Sequence, residues 1–557
     1  MPGTAIRRRP ALIAALAVFV AGGLGLALTR HSTPLPLPRA QAVAVALRSP
    51  RVQRVFRRVH WDRVEADAVD HQLERLSFFQ GSQSVAEVAV KRNHSIVEVL
   101  DFKVLNVPYG DWIAYEPAVL ILLAALFVLV TAVGPWHRLR NLDVLMALTF
   151  LAPVVLLQRH YVAASVLAAI PGLLYLMGRC AVMALAGTRP AAPSEPVLDL
   201  LTPAWEVRRR VRLLRILLIA MALVFVLVTV SSVDAVDVLY AVMEGATKIV
   251  GGVLPYGHMP GDVIHGDTYP LLSYLLYVPL AWLSPVRSVW DSVDLALGFT
   301  VIGALVVAWV MFRVVAGSGG RGSGGIPPER ELAGLRSAMA WLAFPPVLII
   351  ASSGTSDLVL GTMLALALLL WRRPGVCTGL LAAAAWFKLA PLALVPVRLA
   401  ALRGRRLVAA VAGLLVVTAP MLALLIALDG LSGPMTMLHA ISFQFSRGSP
   451  QSVWSALGIW GLQPAGEAAV LALIAASVVR LRNDHELAED RQRMAALTVA
   501  ILVGLQLAAN YWAFLYLVWI FPLLGMSLLG QPAGVTVSDE VGAAVLPSDV
   551  RPVGVPV

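Results

Sequence analysis

An all-α bundle of membrane-crossing helices is the architecture this chain encodes. Hydrophobic residues fill 59% of its 557 positions and charged residues only 14%, more apolar surface than a soluble globule can hide. The apolar residues come in runs close to the roughly 20 residues that a helix needs to cross about 30 Å of hydrocarbon with its backbone hydrogen bonds closed internally. Between the runs lie short polar turns and repeated arginine clusters.

Runs of this kind lie near 11–29, 117–135, 143–158, 161–186, 213–232, 269–285, 294–314, 337–352, 355–371, 375–398, 407–428, 466–480, 493–509 and 511–529. About twelve to fourteen crossings are expected. The basic start MPGTAIRRRP followed by an apolar stretch reads as a signal peptide or, the favoured reading, an uncleaved N-terminal anchor over 1–30. Residues 31–116 form a polar segment of unassigned role, with helical periodicity around Val52 to Leu76 and a turn at Asn106 to Gly110. A three-span extension over 117–186 and a Pro-rich cytoplasmic linker over 187–211 precede a core at 212–530. Residues 531–557 read as a disordered tail.

The net charge of +11 rests on arginine, because Lys91, Lys103, Lys248 and Lys388 are the only lysines. Positive charge in cytoplasmic loops accounts for it, and no soluble basic domain points to nucleic acid. Cys180 and Cys377 stand apart in apolar runs, without the spacing of a disulfide framework or a zinc site. The clusters RRRVRLLR, RGSGGIPPERELAGLR, WRRPG, RLAALRGRR and RLRNDHELAEDRQR belong on the cytoplasmic side. The polar turns at 230–268, 352–357 and 429–458 then face outward. This parity fails at 269–285 or at 375–398, where Pro270, Pro279, Pro391 and Pro396 make a broken or re-entrant helix reasonable.

The large outward loop after the core's first helix concentrates the polar chemistry. Asp234 and Asp237 follow the 213–232 span and share a helical face with Tyr240 and Glu244 if the helix continues. A carboxylate at that exit can accept a hydroxyl proton, although an isolated loop aspartate is ordinarily a solvated cap. The order then runs through Gly252, LPYG at 254–257 and TYP at 268–270. Further on come AFPPVLIIASSGTSD at 343–357, a Lys-x-x-Pro element at Lys388 and Pro391, and NYWAFLYLVWIFPLL at 510–524.

Taken in that order, these motifs resemble the GT-C superfamily of membrane glycosyltransferases, and most nearly the polyprenol-phosphate-mannose-dependent mannosyltransferases of family 87 and its relatives. The resemblance covers roughly 205–530, with Leu271 where the family has a second proline. It implies a multi-pass plasma-membrane enzyme that transfers a sugar, mannose or another hexose or pentose, from a polyprenyl-phosphate carrier. The acceptor would be a glycolipid or glycan of the cell envelope, and the active site would face outside. The reaction expected is a single inverting displacement. Asp237 is the first choice of base and Asp234 the second.

Donor and acceptor contacts are expected from Tyr256, His258, Asp262, His265, Asp267, Tyr269, Asp357, Lys388, His439 and Arg447, together with Tyr240 and Glu244. A guanidinium at Arg447 can fork two phosphate oxygens, and Gly448 lets backbone amides approach. Lys388, set in an apolar run, must snorkel or meet an anion. Asp357 opens a helix, where an acid is also at home without any ligand. No cofactor is required, and a divalent metal is compatible with the residues but not indicated. The alternatives from other classes are a transporter or lipid-linked sugar flippase, which should show internal repeats and mid-membrane charges, and a non-catalytic scaffold of the same architecture.

Overall fold

The computed structural model describes residues 38–529 apart from 58, 69–72, 82, 94–95, 105–112, 135, 159–160, 187–196, 202–204, 231–235, 260–262, 264, 288–290, 318–325, 447–448 and 450. The N-terminal anchor, the Asn106 to Gly110 turn, most of the 187–211 linker and the C-terminal tail expected from the sequence lie wholly or mainly outside these residues.

The polytopic helical bundle is present. Among the described residues six helices are long and apolar enough to cross a bilayer: Leu139–Leu157, Val162–Ala186, Val207–Val230, Asp294–Ala316, Gly404–Phe445 and Trp460–Asn483. Pro328–Ala343 and Pro345–Ser352 make a seventh if the pair, bent by 54°, is one span. Five more apolar helices have only 10–17 residues. Among the described residues the helices of full length are fewer than the twelve to fourteen crossings expected from apolar runs, because several runs are cut by prolines and polar turns.

The cut at 375–398 shows how. One helix runs Pro374–Phe387 and ends on Lys388, whose backbone is extended. A 3-10 turn at Ala390–Ala393 and a short helix Leu394–Ala400 follow. In an unbroken helix the Phe387 carbonyl would accept the N–H of residue 391, but that residue is Pro391 and has none. The Ser273 hydroxyl donates to this carbonyl instead. The 269–285 run is likewise reduced to Leu272–Leu275 and Val278–Leu283. Both segments that upset the parity are therefore broken.

Packing separates helices that face lipid from helices that face protein. On Val207–Val230 the side chains of Ile216, Ile219, Leu223 and Leu227 are exposed, as are Val408, Leu415, Val416 and Ile426 on Gly404–Asp429. In a bilayer these surfaces meet acyl chains. At the centre, Phe344 stacks on Phe521 with ring centroids 3.9 Å apart, and Trp341 donates its indole N–H to the Ala304 carbonyl at 2.8 Å. Gly361 permits another close approach, since a methyl there would overlap the Val518 carbonyl.

One element departs from the expectation of helical periodicity over Val52 to Leu76. Helix ends at Phe56, and four strands follow: β1 Arg63–Ala68, β2 Leu73–Gln80, β3 Gln83–Asn93 and β4 Ile96–Val104. They form one antiparallel sheet in the order β1-β2-β3-β4. Its register sets Leu76 opposite Val88 and Phe78 opposite Ala86, all buried. Phe56, Trp61 and Phe78 cluster beside it, with centroids 4.8–5.9 Å apart. The physical reason is a period of two: Leu76 and Phe78, then Ala86, Val88 and Val90, alternate along their strands, and β-branched valines suit a pleated surface better than a helix.

Candidate functional site

Three segments converge on one turn. Asp357 opens the helix Asp357–Leu369, and its Oδ1 accepts hydrogen bonds from Lys388 Nζ at 2.6 Å and from the Trp519 indole N–H at 2.8 Å. Thr355 Oγ1 donates to its Oδ2 at 2.5 Å. The aspartate is 0% exposed and the lysine 9%. Around the ammonium stand the rings of Tyr269, Tyr516 and Trp519, with centroids 5.3–5.6 Å from Nζ. A buried carboxylate and ammonium are tolerable only when paired and hydrogen-bonded, and this pair is both.

The same turn receives the first candidate base. The Val236 N–H donates to the Ser353 carbonyl at 2.9 Å, and the helix Asp237–Val250 begins at the next residue. Tyr115 and Ser353 join their hydroxyls at 3.3 Å on the same turn. Val236 has extended backbone, so Asp237 starts a new helix instead of continuing the 207–230 span. Asp234, expected to share its helical face, lies outside the described residues. The Asp237 carboxylate is exposed, and it accepts the Val238 N–H at 3.0 Å. Tyr240 and Glu244, expected beside it, are buried in the helix packing.

The loop from Leu254 to Pro270 is folded by its own polar groups. Asp267 Oδ2 accepts the Gly257 N–H at 2.8 Å, and the Tyr256 hydroxyl donates to the Tyr269 carbonyl at 3.2 Å. Burial, and then the nearby Asp267 charge, push the Tyr256 hydroxyl well above its ordinary range, so it stays protonated. Gly245 leaves room for the Tyr274 ring, whose hydroxyl donates to the Gly266 carbonyl at 2.8 Å. His265 takes a left-handed backbone, φ 58°, and lays its ring on Phe443 at 3.8 Å and 15°. Gln444 donates to the Thr268 hydroxyl at 2.6 Å. The loop is thereby fastened to the helix Gly433–Ser446, on which His439 is exposed. His258 is exposed too, its Nδ1 3.1 Å from the Leu254 carbonyl.

The structure thus brings Tyr269, Asp357 and Lys388 into direct contact and ties Asp237 to the same turn. His265 and Asp267 hold the 254–270 loop. Asp262 and Arg447 lie outside the described residues. Sequence reasoning missed Thr355, Tyr516 and Trp519 as partners of the ion pair, and Phe443 and Gln444 as fasteners of the loop. The available signal was Asp357 and Lys388 themselves, opposite charges in apolar surroundings that need each other. Among the described residues no group of three or more His, Cys, Asp or Glu is placed to hold a metal ion.

A many-helix bundle with polar side chains gathered on the turns at one end defines the class: a multi-pass membrane protein with a candidate site at that end. Residues 268–506 match the model of glycosyltransferase family 87, which supports assignment to the GT-C-like membrane glycosyltransferases. The matched stretch includes Tyr269, Asp357 and Lys388, whereas Asp237 precedes it and Tyr516 and Trp519 follow it. No curated protein and no solved structure matches the chain.

Proposed function

We propose that this membrane glycosyltransferase moves a sugar, mannose or a related hexose or pentose, from a polyprenyl-phosphate carrier to a glycolipid or glycan acceptor outside the plasma membrane. The observation that supports this reading is the Val236 to Ser353 hydrogen bond, which fastens the residue before the exposed Asp237 to the turn that leads into Asp357. Arginine clusters on the alternate loops favour an extracytoplasmic orientation for that turn.

In the reaction the acceptor hydroxyl oxygen bonds to the anomeric carbon and gives its proton to Asp237, or to Asp234 as the second carboxylate of the same loop. The bond from the anomeric carbon to the phosphate oxygen breaks on the opposite face, and the leaving phosphate keeps the electron pair. Inversion follows from the single displacement. Positive charge for the phosphate comes from Arg447, with hydrogen bonds from His258, His265 or His439. Lys388 is answered by Asp357, and in this mechanism it is a positioning residue that clasps Tyr269 and Tyr516. Asp262 and Asp267 orient acceptor hydroxyls. The step as written uses no metal or cofactor.

Proteoliposomes supplied with a radiolabelled polyprenyl-phosphate sugar test this reading. Asp237→Asn should lower transfer by about 10²- to 10⁴-fold, the usual worth of a general base, while the protein remains folded. Wild-type rates in both Asp237→Asn and Asp234→Asn would exclude the proposed base. Movement of the sugar lipid across the bilayer without transfer would identify a transporter.

A further inference from the structure

The end of the bundle remote from Asp357 carries a second polar site. The helices Asp357–Leu369 and Pro374–Phe387 run away from the Lys388 ion pair and back to it, so Trp371 and Arg372 between them lie at the far end. Two adjoining cavities open there, of about 250 and 340 Å³, and share Ala401, Leu402, Arg406, Ala488 and Glu489. Arg372, Arg398 and Arg403 complete their charged lining, four arginines in all with Arg406, against the single carboxylate of Glu489. Arg406 spends part of its charge on Glu489 at 2.5 Å, and Arg403 donates to the Arg482 carbonyl.

Arg398 separates this cavity from a merely basic surface. It is 2% exposed, and its guanidinium carbon lies over the Trp371 ring, 3.9 Å from the centroid. Its Nη2 donates to the Trp371 carbonyl at 2.6 Å, while its buried Nε has no hydrogen-bond partner among the described residues. Retention of positive charge on one side of the membrane explains arginines in exposed loops. It does not explain a guanidinium sealed in a cavity wall with a donor unspent, because an unpaired buried donor is unfavourable and the one carboxylate of the cavity, Glu489, is already engaged by Arg406.

We infer that this arginine-lined cavity binds a phosphate group, carried by a phospholipid headgroup at the membrane surface or free in solution. A guanidinium presents parallel N–H donors that match two phosphate oxygens, and a site with three charges in excess of its carboxylate accommodates either the single charge of a phosphodiester headgroup or the dianion of free phosphate. The site is independent of sugar transfer, lying at the other end of the helices that carry the candidate active site.

Full-length protein in detergent, titrated calorimetrically with inorganic phosphate, and the same protein in vesicles of phosphatidylglycerol or phosphatidylcholine, followed by native mass spectrometry of retained lipid, test the inference. Arg403→Gln with Arg406→Gln removes two exposed guanidiniums from the cavity. Arg208→Gln with Arg212→Gln removes two exposed ones from the Val207–Val230 helix. Loss of even one charge-assisted contact should weaken binding about ten-fold or more in the cavity variant, with less than about a two-fold change in the other. Phosphate bound in detergent identifies a soluble ligand, and retention of phosphatidylglycerol alone identifies a headgroup. Absence of both, or equal weakening in the two variants at unchanged melting temperature, overturns the inference.

Discussion

Lys388 and Asp357 are joined by a 2.6 Å ion pair at the same end of two neighbouring helices. The pair shares its carboxylate oxygen with the indole of Trp519, thereby linking a third segment. Removing one partner strands the other. Lys388→Met should therefore cost about 3–5 kcal/mol, as should Asp357→Leu, whereas the double replacement should recover much of that loss because two apolar side chains need no counter-ion. Thermal unfolding of the purified protein measures this cycle. Additive losses would show that the two charges do not depend on each other.

Ser273 offers a simpler test of how the 374–400 segment is broken. Its hydroxyl satisfies the Phe387 carbonyl that Pro391 cannot serve. Ser273→Ala leaves that buried acceptor without its donor and should destabilise by about 1–3 kcal/mol. Ser273→Thr keeps the donor and should cost less than Ser273→Ala in the same melting assay. Equal melting of wild type and Ser273→Ala would exclude the role given to this hydroxyl.

These two relationships mark where the sequence stops being readable. That the chain crosses a bilayer follows from its apolar runs, and that polar chemistry gathers on turns at 230–268 and 352–357 follows from where its few acids fall. Lysine scarcity singled out Lys388. Its partner was not evident, because the 31-residue separation from Asp357 has no local periodicity and the pairing exists only once the two helices lie side by side. The break before Asp237 was hidden for another reason: nothing in VSSVDAV forbids helix, and the tertiary bond from Val236 to Ser353 selects extended backbone there. The sheet was obscured because alternation in β1 to β3 is short and interrupted by charges that also suit a helix.

Close helix approach gives a third prediction. Gly361 faces the Val518 carbonyl, and Gly413 faces Gly375, with space for hydrogen alone. Gly361→Ala should push the Asp357–Leu369 helix away from the segment bearing Trp519, at about 1–3 kcal/mol of overpacking. The displacement loosens the indole contact to Asp357, so transfer should fall as stability falls. Gly298→Ala, where a methyl meets nothing within 4 Å, is the matched control. It should melt at or above the wild-type temperature, since alanine favours the helix by up to about 1 kcal/mol.

Asp484, just beyond the 460–483 span, gives a pH signature remote from the active site. Its Oδ1 accepts the Leu487 N–H at 2.9 Å, and Arg480 lies 2.9 Å from its Oδ2. The Leu487 hydrogen bond above all, with help from Arg480 and Arg493, holds the carboxyl below the ordinary aspartate value of 3.8. A depressed value in the folded state means that the unfolded chain takes up the proton first as the pH is lowered. The stabilisation from Asp484 is therefore complete above about pH 4–5 and is lost as the pH falls through its folded value. Asp484→Asn keeps a side-chain oxygen for the Leu487 N–H but removes the charge. Melting temperatures from pH 7 to pH 3 should show the variant below wild type at neutral pH and the gap closing in acid. A gap of constant size across that range would mean that the carboxylate charge contributes nothing, and that only the shape of the side chain holds the turn.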